Sequence, residues 1–291
     1  MFNDTVTVTD KFLARHDYKS EAKPTWCPGC GDFGVLNALY AALRQTGRNP
    51  KDIVSVSGIG CSSRLPFFVT SYGFHGVHGR AMPIATGIKA ARPELTVMVF
   101  GGDGDAFAIG GDHFMHACRR NVDITYVVMD NATYGLTKGQ ASPTSRAGYV
   151  TKTTPSGVAE QPVNPVALAL VCGATYVAQG ISARPKHLTD LIAQGVEHKG
   201  FAFIEALSPC PTFNKVDTHV YYKDNSVDIP LDHDPSDLGS ALRLAMLEEQ
   251  IYTGVIYKRP ATVFGSNHRQ QLASGTQGRD EVLNRLFTRF S

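Results

Sequence analysis

The chain has 291 residues, 43% of them hydrophobic, with 28 Gly, 16 Pro and a formal net charge of +2. That is ample for a sizeable core in one large domain or two, and the near-neutral balance gives no case for nucleic acid or an anionic membrane as a partner. No run approaches the roughly 18 apolar residues of a membrane-spanning helix, residues 1–21 lack the apolar core of a secretory signal, and six Cys in such a chain point to metal binding or buried thiols rather than disulfides, so a cytoplasmic protein is expected.

In chain order, strand and helix patterns alternate. Residues 1–25 read as an extended arm. Residues 31–46 predict a helix with Val35, Leu36, Leu39, Tyr40 and Leu43 on one stripe, closed by Gly47. Ile53–Ser57 is a short buried strand ending at Gly58, and 79–91 a helix stopped by Pro93. The apolar runs 96–100 and 124–129 are strands of a parallel sheet covered on both faces, with a helix over 112–120 between them. Residues 138–161, rich in Thr, Ser, Gly and Pro, form a long loop of the kind that carries function. Pro165–Val171 is a helix, 174–178 a strand, 185–198 a helix and 201–207 a strand. Beyond Lys215 the pattern loosens, with one helix signalled by Asp234 as N-cap, Pro235 in its first turn and a stripe through Leu238, Leu242 and Met246. The fold class is therefore α/β, a mostly parallel sheet with helices on both faces. The divisions are an arm (1–25), a ligand-binding α/β domain (26–214) and a C-terminal extension packing on a partner (215–291).

Four predicted strands deliver unusual residues just past their carboxyl ends, the edge at which open α/β sheets bind ligands. They are Gly58-Ile59-Gly60-Cys61, Gly101-Gly102-Asp103-Gly104-Asp105, Asp130-Asn131-Ala132-Thr133-Tyr134-Gly135 and Ser208-Pro209-Cys210. The second and third, with 26 residues between Gly104 and Asn131, resemble the diphosphate and magnesium motif of thiamine diphosphate enzymes. The chemistry accounts for the residue types. Mg²⁺ takes hard oxygen ligands in octahedral geometry. Asp103 offers a carboxylate oxygen, Asn131 an amide oxygen and Thr133 its backbone carbonyl, while Gly102 and Gly104 leave room for a diphosphate against backbone N–H groups.

The cysteines give the second signal. Trp26-Cys27-Pro28-Gly29-Cys30-Gly31 is a Cys-x-x-Cys turn before a helix, and Cys61 and Cys210 stand at strand ends. Four thiolates suit a tetrahedral zinc ion or a [4Fe-4S] cluster. No second Cys-x-x-Cys pair is present, and a neighbouring thiamine site favours the cluster. Cys118 and Cys172 read as small buried hydrophobes.

Taken together, Trp26–Gly31, Ser57–Cys61, His78-Gly79-Arg80, Gly102–Asp105 and the run from Asn131 through Leu136, Thr137, Lys138 and Gly139 to Thr144 resemble the β subunit of 2-oxoacid:ferredoxin oxidoreductases, nearest the 2-oxoglutarate branch. The resemblance covers about residues 20–215. It implies thiamine diphosphate, Mg²⁺ and one [4Fe-4S] cluster held by Cys27, Cys30, Cys61 and Cys210, with coenzyme A as co-substrate. It implies oxidative decarboxylation of a 2-oxoacid, electrons passed to ferredoxin, an α subunit as partner and a dimer of αβ heterodimers. Around the cofactor it implies contacts from Ile59, Gly60, Cys61, His78, Gly79, Gly102, Asp103, Gly104, Asp105, Asn131, Thr133, Tyr134, Gly135, Leu136 and Thr137. The Glu that activates the thiamine pyrimidine in this family resembles a residue of the partner, so this chain is read as half an active site. His78, Arg64 and Lys138 are the catalytic candidates, His78 on the cofactor and the two cations on the distal carboxylate of a dicarboxylate such as 2-oxoglutarate. Pyruvate or a broad 2-oxoacid range is the alternative substrate reading, and a zinc-stabilised, non-catalytic binding subunit the alternative of another class.

Overall fold

The computed structural model describes residues 18–247, 249–266, 284–285 and 287–289. In chain order the elements are α1 (Asp32–Thr46), β1 (Ile53–Ser57), β2 (Tyr72–His75), α2 (Ala81–Ala91), β3 (Thr96–Gly102), α3 (Asp103–Phe107), α4 (Gly111–Arg120), β4 (Thr125–Asp130), α5 (Pro165–Val171), β5 (Tyr176–Ile181), α6 (Pro185–Glu197), β6 (Ala202–Leu207), α7 (His219–Asn225), β7 (Ser226–Asp228), α8 (Leu238–Ala245) and β8 (Ile251–Lys258). Short 3-10 helices occupy Pro50–Asp52 and Ser62–Phe68. The strands form one sheet in the order β2-β1-β3-β4-β6-β5-β8-β7. The six strands from β2 to β5 in that order are mutually parallel, β8 joins β5 antiparallel, and β7 pairs with β8 in parallel.

The continuous apolar runs become strands buried on both faces because side chains alternate across the sheet. Met98, Phe100, Val127, Met129, Ala178 and Ile204 point to one core with α1 and α6. Val97, Val99, Tyr126, Val128, Val177 and Phe203 point to the other, with α2, α4, α5 and α8. Helix ends follow local chemistry. Gly47 closes α1 in the left-handed conformation at φ 61°, its N–H reaching the carbonyls of Leu43 and Arg44. Asn164 caps α5 by accepting the Ala167 N–H at 2.9 Å. Asn121 ends α4 at φ 49°, and its amide oxygen accepts from Phe201 N and Thr175 Oγ1, each at 2.7 Å. A helix cap thereby ties α4 to the segments entering β5 and β6.

Two expectations are corrected here. The last well-signalled helix begins at Leu238 with Asp237 as its N-cap, accepting from Gly239 N and Ser240 N. Asp234 instead closes a turn onto Ser236 N at 2.8 Å. The region beyond Lys215 is also more regular than its pattern shows. Its strand β8 extends the sheet, and Ala241, Leu244, Ile256 and Tyr257 are buried in the second core. Strands β2, β7 and β8 and helices α3 and α7 were not expected. Of the arm, residues 1–17 lie outside the described residues. Tyr18 is buried, its hydroxyl donating to the Arg48 carbonyl at 2.6 Å. No described helix is long and apolar enough to cross a membrane.

Phe114 of α4 is fully buried and meets Phe107, Phe201 and Phe203 edge-to-face at centroid distances of 5.4, 5.9 and 5.2 Å. Phe114→Ala should cost about 3–5 kcal/mol of stability through the cavity it leaves. Urea unfolding checks this, and a midpoint equal to wild type would contradict the packing described.

Candidate functional site

Strand β3 passes directly into α3, so Gly102 and Asp103 change direction together at the carboxyl edge of the sheet. One strand over, β4 ends at Asp130 and the chain turns through Asn131. This turn is held by Asp130 Oδ1, which accepts the Ala132 N–H at 2.8 Å while Ala132 sits at φ 52°. Asn131 Oδ1 accepts from Thr133 N at 3.1 Å. Tyr134 and Gln140 then close a small loop, Tyr134 N to Gln140 O at 2.9 Å and Gly139 N to Tyr134 O at 2.8 Å. The Tyr134 ring lies so close to Gly104 that a Cβ there would stand 2.2 Å from it. Only glycine lets these two turns meet.

Between them opens a cleft of about 430 Å³. Every residue expected to contact cofactor lines it, except Gly79, and Ser62 joins them. Gly79 lies one step behind. Its N–H and that of Ile59 both donate to Asp105 Oδ1, at 2.7 and 2.9 Å, so one carboxylate pins two cleft loops to α3. Asp105 Oδ2 is buried without a partner. His78 reaches into the cleft with Nδ1 3.9 Å from Asp105 Oδ1 and its ring 6.2 Å from that of Tyr134. Arg64 and Lys138 do not line the cleft. The 3-10 helix after Cys61 carries the Arg64 guanidinium to Thr25 Oγ1 at 3.2 Å, although its charge still acts on the Cys61 thiol. Lys138 is exposed, on a left-handed turn at φ 79°. His75, on β2, bonds Ser57 Oγ through Nδ1 at 2.9 Å.

Beneath the cleft lies a buried run of acids. The Thr144 hydroxyl stands 2.8 Å from both Asp103 Oδ2 and Asp130 Oδ1. It carries one hydrogen and can donate to only one of them. Gln179 Nε2 donates to Glu205 Oε2 at 2.6 Å. Burial raises the pKa of Asp103, and raises that of Asp130 well above the carboxylate range, with the Asp103 and Glu205 charges adding to it. Glu205, also fully enclosed, is pushed up to about 7, burial again being the largest cause. An acid inside the apolar strand Ala202–Leu207 was a legible signal of a special site. Thr144 and Asp130 gain their roles only through the fold.

The cysteines gather at the same edge. The Cys-x-x-Cys turn is closed by Cys30 N to Cys27 O at 3.1 Å and joined to the loop after β6 by Gly31 N to Pro209 O at 3.0 Å. A Cβ on Gly31 would stand 2.7 Å from the Ser208 backbone. Trp26 Nε1 donates to the Cys61 carbonyl at 2.6 Å, bringing in the loop after β1. Cys61 and Cys210 present Sγ atoms 3.6 and 3.7 Å from the Cβ direction of Gly135, on the cleft wall. Burial, then the charges of Asp32 and Cys210, pushes the Cys61 thiol up to about 11, and burial raises Cys30 too. Asp32, fully buried and up to about 6 for the same reason, accepts from Ser208 Oγ at 2.6 Å and leaves Oδ2 without a partner. Among the described residues, no three His, Cys, Asp or Glu side chains converge as the ligands of a single ion do. Cys118 is buried and Cys172 half-buried, away from this cluster on α4 and after α5.

Comparisons with known proteins agree with this geometry. Residues 58–206 match the thiamine pyrophosphate enzyme C-terminal TPP-binding domain. Residues 210–271 match the C-terminal region of the pyruvate ferredoxin oxidoreductase β subunit. The β subunit of 2-oxoacid:ferredoxin oxidoreductase 2 from Aeropyrum pernix is 47% identical over 208 residues, 72% of this chain and 67% of its own length. The 2-oxoglutarate oxidoreductase subunit KorB of Mycobacterium tuberculosis is 47% identical over 73% of this chain and 57% of its own. A solved structure of 2-oxoglutarate:ferredoxin oxidoreductase from Magnetococcus marinus, with 2-oxoglutarate, coenzyme A and succinyl-CoA bound, is 49% identical. It has a TM-score of 0.89 and covers 93% of this chain and 94% of that one.

The acid run predicts a pH dependence. Folded Glu205 holds its proton up to about pH 7, whereas the unfolded chain releases it near the model-peptide value of 4.5. The folded state therefore binds the extra proton between these limits, and stability falls as pH rises through that window. Glu205→Gln should make the fall shallower and raise the melting temperature at pH 7.5 without Mg²⁺. Thermal unfolding from pH 5 to 8 tests it, and an unchanged slope would show that Glu205 is ionised in the fold.

Proposed function

The chain belongs to the β-subunit family of the 2-oxoacid:ferredoxin oxidoreductases, and we propose that with an α subunit it oxidatively decarboxylates 2-oxoglutarate, delivering the acyl group to coenzyme A and electrons to ferredoxin. The observation that carries this reading is the shared wall at Gly135. The glycine-lined cleft with its hard oxygen donors has Cys61 in its own lining, and the Cys61 and Cys210 thiols stand against Gly135 on that wall.

The residues present fit the groups the family implies. Asp103, Asn131 and the Thr133 carbonyl are an oxygen set suited to Mg²⁺, and no Cβ fills the space beside them at Gly102, Gly104 and Gly135. Cys27, Cys30, Cys61 and Cys210 would hold a [4Fe-4S] cluster. Four thiolates are the ligand set such a cluster takes, and the Cys30 thiol lies close enough to Cys61 and Cys210 to feel their charge. When bound, thiamine diphosphate supplies the electron sink for decarboxylation and the cluster supplies one-electron transfer. The protein's own part is placement. Asp105 fixes the Ile59 and Gly79 loops, Thr144 and Asp130 set the Asp103 and Asn131 donors, and Tyr134 backs Gly104. His78 presents an imidazole to the cleft for the diphosphate end of the cofactor.

Among the described residues, no Glu lines the cleft, which supports a pyrimidine-activating Glu on the α subunit. We assign the contact with that subunit to the cleft rim and to the extension beyond residue 214, where Val216, Val220, Met246 and Leu247 are exposed. A dimer of αβ heterodimers in the cytoplasm is the matching assembly. Relatives named for 2-oxoglutarate support the reading of that substrate rather than pyruvate, and Arg64 and Lys138 are the cations offered by this chain for its distal carboxylate.

Asp103→Ala and Asn131→Ala should each abolish Mg²⁺-dependent thiamine diphosphate binding by the αβ complex, seen by calorimetry. Ala at Cys27, Cys30, Cys61 or Cys210 should lose cluster iron, whereas Cys118→Ala and Cys172→Ala should not. Unchanged cofactor affinity in the first pair, or a colourless complex containing zinc, would sink the assignment. For substrate choice, Arg64→Ala removes a charge-assisted bond of about 1.5–3 kcal/mol. The loss in kcat/KM should be roughly ten- to a hundred-fold for 2-oxoglutarate and much smaller for pyruvate. Equal losses on both substrates would move Arg64 away from the distal carboxylate.

A further inference from the structure

We infer that Asn214 is a positioning residue that fastens the Cys210 loop to the Asn131 turn, so that the proposed cluster and the proposed Mg²⁺–diphosphate site move as one body. Asn214 is 1% exposed and every polar atom of its amide is used. Its Nδ2 donates to the Asn131 carbonyl and to Asp217 Oδ2, both at 3.0 Å. Its Oδ1 accepts from Val216 N at 2.9 Å and Asp217 N at 3.0 Å. Its own N–H donates to the Cys210 carbonyl at 3.0 Å. One residue thus bonds to the backbone of a proposed cluster ligand and to the backbone of a proposed Mg²⁺ ligand, 83 residues away in sequence from the latter. Asp217 steadies the knot from outside through Arg146 Nη2 at 2.6 Å.

The geometry is specific to an amide. A buried Asn must satisfy two donor hydrogens and an acceptor oxygen, and here both sides of the amide have partners in different loops. Rigid placement of an electron donor and its acceptor on one element keeps their separation fixed while substrate and partner come and go. The inference rests on the assignment of Cys210 to the cluster and Asn131 to Mg²⁺, and the experiment separates the two.

The αβ complex is purified anaerobically as wild type, Asn214→Asp, Asn214→Ala and the control Asn49→Ala, whose amide oxygen accepts the Lys51 N–H at 3.0 Å in the turn that leads into β1, at the opposite edge of the sheet. A carboxyl at 214 keeps the acceptor oxygen for Val216 and Asp217. It has at most one hydrogen, which the Asp217 carboxylate takes as the stronger acceptor, so the bond to Asn131 is lost. In wild type, adding Mg²⁺ and thiamine diphosphate should change the EPR spectrum of the dithionite-reduced cluster. In both Asn214 variants the cluster iron should stay full. Affinity for Mg²⁺–thiamine diphosphate should fall about three- to ten-fold, the worth of one hydrogen bond, and the EPR response should disappear. Asn49→Ala should behave as wild type. Wild-type affinity or an undiminished EPR response in Asn214→Asp overturns the inference, as does loss of cluster iron in that variant, which would reduce Asn214 to a structural knot. A wild-type complex without cluster iron or without Mg²⁺-dependent binding overturns the underlying assignment, and this inference with it.

Discussion

Parallel pairing is the constraint on which the molecule depends. Because β1, β3, β4 and β6 run in one direction, each leaves its following turn at the same edge, and four separate turns become neighbours without any long loop having to reach. Parallel strands need covered faces and crossover helices. The chain meets that need with α1 and α6 on one side and α2, α4, α5 and α8 on the other. The Cys-x-x-Cys turn follows no strand among the described residues. It reaches the same edge because it opens α1, whose first turn is pressed against Ser208 through Gly31.

The second theme is buried negative charge. Asp32, Asp103, Asp105, Asp130 and Glu205 are all at most 3% exposed, and Asp32 and Asp105 each retain a carboxylate oxygen without a partner. Carboxyls in such places are held protonated or wait for a cation. Asp105 is the exception that works structurally, since two backbone N–H groups satisfy its other oxygen. A fold that encloses this many acids gains stability from whatever positive group binds there, because ligands that bind only the native state draw the folding equilibrium with them.

The readable part of this protein is the part encoded locally. Strands β1, β3, β4, β5 and β6 and helices α1, α4, α5 and α6 lie within two or three residues of their predicted bounds because their apolar runs and caps are contiguous. The residues of the cleft were legible for the same reason, since each half of the motif sits in a few consecutive positions. Strand β2 escaped because its four residues are all exposed and show no burial pattern. Strand β8 carries Gly254 at φ 145° and a register shift opposite Val177 and Ala178, which break its alternation. The cap of α8 was misplaced because Asp234 and Asp237 are chemically equivalent signals three residues apart, and only hydrogen bonds in the fold choose between them. Asn214 has no signature of its own, and Thr144, though it ends the run that carries the resemblance, gives no sign of the acids it bonds. Their meaning lies in partners that sequence proximity does not reveal. The motif also drew attention to Arg64 and Lys138, whose positions depend on a 3-10 helix and a left-handed turn that composition does not encode.

The convergence at Gly135 also constrains how the molecule matures. Cys27 and Cys30 are near one another in the chain, but Cys61 and Cys210 reach them only through β1 and β6, the latter far along the polypeptide. A ribosome that has released the first hundred residues has produced three of the four thiols and none of the strand that carries the fourth. Contacts of such long sequence separation form late, after their loop-closure entropy has been met by the sheet itself. Any inorganic cofactor held at these cysteines would therefore enter a sheet that has already formed rather than nucleate it.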